Sequence, residues 1–260
     1  PTVTATSATI CAGQSATLTA GGSTTYTWNT GPTTATIVLS PVVTTNYTVT
    51  GNNGICSNTQ TTSITVAPSP TVTATSGTIC IGQTTTLTAG GATTYTWNTG
   101  PTTTTIALSP TVTTTYSVTG NNGTCSNTRT TSIIVNPLPT VTATSGTICV
   151  GQQLILTAGG ATTYTWNTGP TTTTLAVSPT VTTNYTVTGN NGTCANTQTT
   201  SVIVNNLPTV TATSGTICAG QSTTLTAGGA TTYTWNTGPT TATIAVSPPI
   251  TTNYTVTGNN

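Results

Sequence analysis

The chain has 260 residues, 86 of them Thr, one basic residue (Arg129) and no Lys, Asp, Glu, His, Phe or Met. General acid–base catalysis has no carboxylate or imidazole to work with, and the Ser and Thr hydroxyls have no base to activate them, so an enzyme is not expected. Calcium lacks carboxylate oxygens, each repeat offers zinc only two thiols and no His, and a net charge of +1 cannot neutralise a row of phosphates, so no cofactor, metal or nucleic acid is expected as a partner.

Read from the N-terminus, apolar residues alternate with polar ones at period two, the pattern of half-buried strands. Val3 and Ala5 open the series, followed by Ala16, Leu18 and Ala20, then Tyr26 and Trp28, Ile37 and Leu39, Tyr47 and Val49, and Ile64 and Val66. Turn signals separate these runs: GlyGly at 21–22, Asn-Thr-Gly-Pro at 29–32, Ser-Pro at 40–41 and Gly-Asn-Asn-Gly at 51–54. No stretch has a helical period, and no apolar run reaches the ~18 residues that a membrane span needs, so no membrane insertion is expected. Thr is a strand former, and the recurring apolar positions argue against a disordered low-complexity tract.

At Pro70 the same text begins again. The string PTVTATS starts at Pro1, Pro70, Pro139 and Pro208, a period of 69 residues with no insertion or deletion. Four domains are therefore expected: 1–69, 70–138, 139–207, and 208–260, the last stopping at position 53 of its repeat, before its final strand. With no initiator Met or signal peptide, the chain reads as an interior slice of something longer. Cys11 and Cys56 lie 45 residues apart, as do Cys80 and Cys125, and Cys149 and Cys194. These spacings predict one disulfide within each complete repeat, with Cys218 left unpaired by truncation. Closing such a loop is worth roughly 4 kcal/mol. Paired cysteines at a domain-sized period imply an oxidising, extracellular setting.

Six or seven short strands in 69 residues point to an all-β fold, a tandem array of antiparallel sandwiches. Trp28 stands where an immunoglobulin-like sandwich keeps its core Trp, and Tyr47-Thr-Val49 matches a tyrosine corner. Trp97, Trp166 and Trp235, with Tyr116, Tyr185 and Tyr254, repeat these two core positions. The cysteines sit off the core positions of antibody domains, so the expected bridge pins the entrance of the second strand to the last hairpin. The run ICxGQxxTLTAGGxTTYTWNTG, then SPxxTTxYTVTG, a Cys and a final TTSxxV, resembles the Ig-like modules of giant surface proteins of gliding bacteria that use type IX secretion. Within that family it is similar to the grappling-hook filaments of predatory marine gliders. The resemblance covers all four repeats and implies an extracellular protein used for adhesion or as a stalk, gripping a cell-surface or prey target through regions outside these residues.

The outward faces are almost entirely Thr, Ser, Asn, Gln and Gly, with no charge to oppose association. Identical chains are therefore expected to bundle laterally into a fibre whose contacts are indifferent to salt. Alternation turns Ile155 outward where the other repeats carry Thr, which makes it a candidate contact between chains. Arg129 replaces a Gln and carries no expected role. The linkers at 67–70, 136–139 and 205–208 are short and proline-bearing, which favours a stiff rod. The competing reading is a carbohydrate- or ice-binding array in a single-chain surface adhesin. It needs exposed Trp28 and Tyr26 rings or a flat Thr lattice, and a twisted sandwich supplies the latter poorly.

Overall fold

The computed structural model describes residues 1–260, which form strands, turns and irregular segments without a helix. The chain divides into two compact units, Pro1–Pro137 and Leu138–Asn260. Four separate apolar cores are present, one for each 69-residue repeat.

The first repeat has seven strands: β1 (Thr4–Ala5), β2 (Ala8–Cys11), β3 (Ala16–Gly21), β4 (Thr25–Trp28), β5 (Thr36–Leu39), β6 (Thr45–Asn52) and β7 (Ser57–Ala67). They form two facing sheets, β1-β3-β5 and β2-β7-β6-β4. This is the immunoglobulin-like sandwich. Alternation works as expected on both sheets: Leu18, Ile37, Trp28, Tyr47, Val49 and Ile64 point inward, and the Thr between them point out. Two glycines are required by close packing. Gly22 has φ near 83°, and a Cβ there would lie 1.9 Å from the Thr2 carbonyl oxygen. A Cβ on Gly51 would lie 2.6 Å from Val3.

One element departs from the simple alternation. The opening run does not make one strand but two, because Thr6 and Ser7 carry the chain from the first sheet to the second. The crossing is pinned from both sides. Thr6 Oγ1 accepts from the Thr19 amide at 2.9 Å, and Thr62 Oγ1 donates to the Thr6 carbonyl at 2.8 Å. Beyond the crossing, β2 lies parallel to β7, with Ala8 opposite Ile64 and Cys11 opposite Ala67. The sandwich is thus antiparallel except where its first and last strands meet.

The second repeat follows the same plan with β8 (Thr73–Ala74), β9 (Gly77–Cys80), β10 (Thr85–Gly90), β11 (Thr94–Trp97), β12 (Thr105–Leu108), β13 (Thr114–Asn121) and β14 (Ser126–Asn136). In the third these become β15 (Thr142–Ala143), β16 (Gly146–Cys149), β17 (Leu154–Gly159), β18 (Thr163–Trp166), β19 (Thr174–Val177), β20 (Thr183–Asn190) and β21 (Ala195–Asn205). The fourth has five strands: β22 (Thr211–Ala212), β23 (Thr223–Gly228), β24 (Thr232–Trp235), β25 (Thr243–Val246) and β26 (Val256–Asn259). The 260 residues end before the positions equivalent to β7, and residues 215–218, which correspond to β2, form no strand.

Candidate functional site: the cysteine-linked junction and the exposed faces

Position 11 of each repeat is a cysteine fixed by its own turn. The Cys11 amide donates to Gln14 Oε1 at 3.2 Å, and the Gln14 amide donates back to the Cys11 carbonyl at 3.0 Å. Cys80 with Gln83 and Cys149 with Gln152 repeat both bonds. The Cys-x-Gly-Gln text is therefore a device that holds a thiol at the end of β2 and its counterparts.

Position 56 is built differently, in the hairpin before the last strand. The Cys56 amide donates to Asn53 Oδ1 at 3.0 Å while the Asn53 amide donates to the Cys56 carbonyl at 3.2 Å. At Cys125 the matching backbone bond comes from Asn122 at 2.9 Å. The next residue but one fixes this hairpin to the start of its own repeat. Asn127 Nδ2 donates to the Pro70 carbonyl at 3.2 Å, as Asn58 does to Pro1.

These two constructions overturn the expected pairing within repeats. Cys11 is bonded to Cys125, 114 residues away in the second repeat, with Cα atoms 5.7 Å apart. Cys56 and Cys149 are free thiols, and so is Cys218. Cys80 and Cys194 are each disulfide-bonded, so neither the Cys80–Cys125 nor the Cys149–Cys194 pairing holds. The reason lies in the parallel β2–β7 pair. Cys11 stands opposite Ala67 at the far end of β7, whereas Cys56 immediately precedes Ser57 at its near end. Ten strand steps, about 33 Å, separate those ends, and a disulfide spans less than about 7 Å between Cα atoms. The end of the first repeat instead meets the start of the second, where the Cys125 hairpin is tied to Pro70. Both bridged residues are buried, Cys125 at 1% exposure and Cys11 at 9%. In the second unit Cys149 lines a cleft of about 420 Å³ with Leu207, Pro208 and Asn259.

The four Trp are core residues, 1–2% exposed. Each indole Nε1 donates at 3.0 Å to a carbonyl six residues on, Trp28 to Thr34 and Trp97 to Thr103 among them. Tyr47, Tyr116 and Tyr185 are buried, and Tyr254 is half-buried. The backbone bonds expected of a tyrosine corner are made by the other tyrosine of the repeat. Tyr26 Oη donates to the Ser23 carbonyl at 2.8 Å and accepts from the Ser23 amide at 3.0 Å.

Outside the core, Thr faces Thr: Thr119 and Thr128 Oγ1 lie 2.8 Å apart, and Thr186 and Thr199 3.1 Å. Ile155 is 60% exposed on β17, opposite Ala176. Arg129 is exposed in mid-strand on β14, paired with Val118. A feature that alternation did not reveal is the apolar residue after each Ser-Pro turn. Val43, Val112, Val181 and Ile250 are 66–77% exposed at the same repeat position. Each is held by a Thr two residues on, whose Oγ1 donates to its carbonyl at 2.7–2.9 Å. The signal was in the sequence as a β-branched residue at the 69-residue period, but inside a turn, where period two does not apply.

No protein-family model matches the chain, nor does the sequence of any curated protein. Solved structures of tandem immunoglobulin domains are similar to it at low identity. A three-domain fragment of titin is 14% identical, covers 76% of this chain and 95% of its own length, and gives a TM-score of 0.40. The N-terminal eight domains of Down syndrome cell adhesion molecule are 13% identical, cover 99% of this chain and 47% of theirs, with a TM-score of 0.31. Three domains of the outer capsid protein Hoc of bacteriophage RB49 are 16% identical over 75% of this chain and 96% of theirs, with a TM-score of 0.30.

Proposed function

We propose that the chain is a load-bearing array, the stalk or shaft repeats of a secreted cell-surface adhesive filament in which identical chains pack side by side. The observation that carries this reading is the parallel contact between the first and last strands of each complete repeat. It makes the chain enter at one end of the sandwich and leave at the other. Tension on the two ends then shears all the β2–β7 hydrogen bonds at once, whereas pulling on the two arms of a hairpin opens bonds one after another. Buried disulfides add covalent ties and suit an oxidising, extracellular compartment. The motif resemblance adds the finer expectation of a giant surface protein of a gliding bacterium, exported by the type IX route.

Lateral packing is supported by the uncharged Thr faces and by the exposed apolar residue at one position of every repeat. A second copy carries the same residues at the same spacing, so contacts made by one repeat are available to the next. Cryo-electron imaging of filaments sheared from producing cells tests both parts. Multi-chain shafts with Thr faces or Val43-type residues at the interface are expected. Single-chain strings would remove the bundling and leave a simple stalk. Replacing Val43, Val112, Val181 and Ile250 together by Asp should abolish lateral association in sedimentation measurements while the repeats stay folded. The carbohydrate-binding alternative loses its stacking platform, because the Trp rings are buried. Binding on a glycan array, or thermal hysteresis, would restore it.

A further inference from the structure

The Cys11–Cys125 bridge does something that a disulfide within one repeat could not. It joins the last residue of β2 to the residue that precedes β14, so its loop encloses residues 12–124. That loop contains β3 to β13, the linker at 67–70 and most of both cores of the first unit. Of the strands of the first unit, only β1, β2 and β14 lie outside it.

We propose that this bridge is a load bypass: once tension has sheared β2 from β7, it crosses from Cys11 directly to Cys125, and the enclosed residues cannot be drawn out. In a stalk of singly tied domains, the joint between two domains is the weak place, since a linker stretches and each unfolding domain adds its full length. Here the joint is the tied place. Both thiols are delivered by local constructions, the Cys-x-Gly-Gln turn on one side and the Asn-Asn-Gly hairpin on the other. Asn127 anchors that hairpin to Pro70, at the first residue of the second repeat. The bond is shielded, with Cys125 nearly inaccessible, so reagents in solution reach it only when the unit opens. The function assigned is a cap on extension: a pulled unit can open its outer strands without paying out the enclosed chain.

The inference deepens the stalk reading and rests on it for its biological meaning, but its test is independent of any filament. The chain contains no lysine, so Leu138→Lys, at an exposed position, supplies one side-chain amine as a pulling handle in the full chain, opposed to a handle on residue 1. Under oxidising conditions the stretch between handles should extend, after all unfolding, by no more than about 24 residues, near 85 Å at ~3.5 Å per residue. With reductant, or in Cys125→Ser or Cys11→Ser, it should gain a further ~400 Å as the enclosed residues are released. Cys56→Ser should leave the oxidised trace unchanged. Full extension of the oxidised chain, or an effect of Cys56→Ser in place of Cys125→Ser, would overturn the bypass. The reduced unsubstituted chain gives the released length even if a serine variant folds poorly. Loss of filaments in the imaging experiment would remove the stalk reading while leaving the force result intact.

Discussion

The first and fourth repeats have nearly the same sequence over 53 positions, and they differ in what they bury. In the first, Ile10, Tyr47 and Val49 are closed off from solvent; in the fourth, the corresponding Ile217, Tyr254 and Val256 are half-buried. The 260 residues stop before the positions that form β7, and the side that β7 covers in the first repeat is here a cleft of about 560 Å³ lined by Ile217, Leu225, Trp235, Val246 and Tyr254. Two strands depend on the missing one. Residues 215–218 lose their parallel partner and form no strand, and β26 begins at Val256 although β6 starts four repeat positions earlier. The remaining core is held by the pairs β23–β25 and β24–β26. The last strand therefore does more than complete a sheet. It is the surface on which the first strand forms, and through β2 it fixes where the position-11 cysteine stands.

This contrast can be broken deliberately. The largest effect should come from Cys125→Ser. Opening a loop of 114 residues costs roughly 5 kcal/mol on the chain-entropy view. Guanidinium unfolding read by repeat-resolved hydrogen exchange should show the loss in the first unit and leave the fourth repeat unchanged. Trp28→Ala should cost about 4 kcal/mol in the first repeat by the same readout. Trp235→Ala, whose ring already borders the open cavity, should cost nearer ~2 kcal/mol. If the two costs were equal, the last strand would not be what completes the core. Thr62→Val removes the donor to the Thr6 carbonyl at the crossing between sheets and should cost about 1 kcal/mol. Its exchange signature should be confined to β1 and β2, and the loss at β2 is one that the fourth repeat shows already. The smallest effect is a predicted zero. The chain has no Asp, Glu or His, the side chains that ordinarily gain or lose a proton between about pH 4.5 and 7. The slope of stability with pH is therefore flat there for both repeats, and a thermal-melt series across that window checks it.

Much of this was legible in the sequence, for a physical reason. A half-buried strand must alternate, so Leu18, Trp28, Ile37, Tyr47, Val49 and Ile64 announced themselves as core, and the Gly and Pro turns marked the corners. The disulfide pattern was not legible, because a spacing of 45 residues does not say which end of a sheet each thiol occupies. That depends on the direction of β2 against β7, and a four-residue strand such as Ala8–Cys11 is too short for its alternation to stand out. The crossing at Thr6–Ser7 was hidden for a related reason: Val3 and Ala5 read as a strand that simply ends. The exposed residues at the Val43 position escaped because turn backbone follows no period.

The bare surface has a last consequence, one that concerns survival rather than assembly. A protease that cuts after basic residues finds one such bond in 260 residues, at Arg129. That bond lies in the middle of β14, hydrogen-bonded along β13, and a protease must have it extended and free of its neighbour to cut it. Proteases specific for acidic residues find none. Proteases that need a charged side chain beside the bond they cut find almost nothing to hold on this protein.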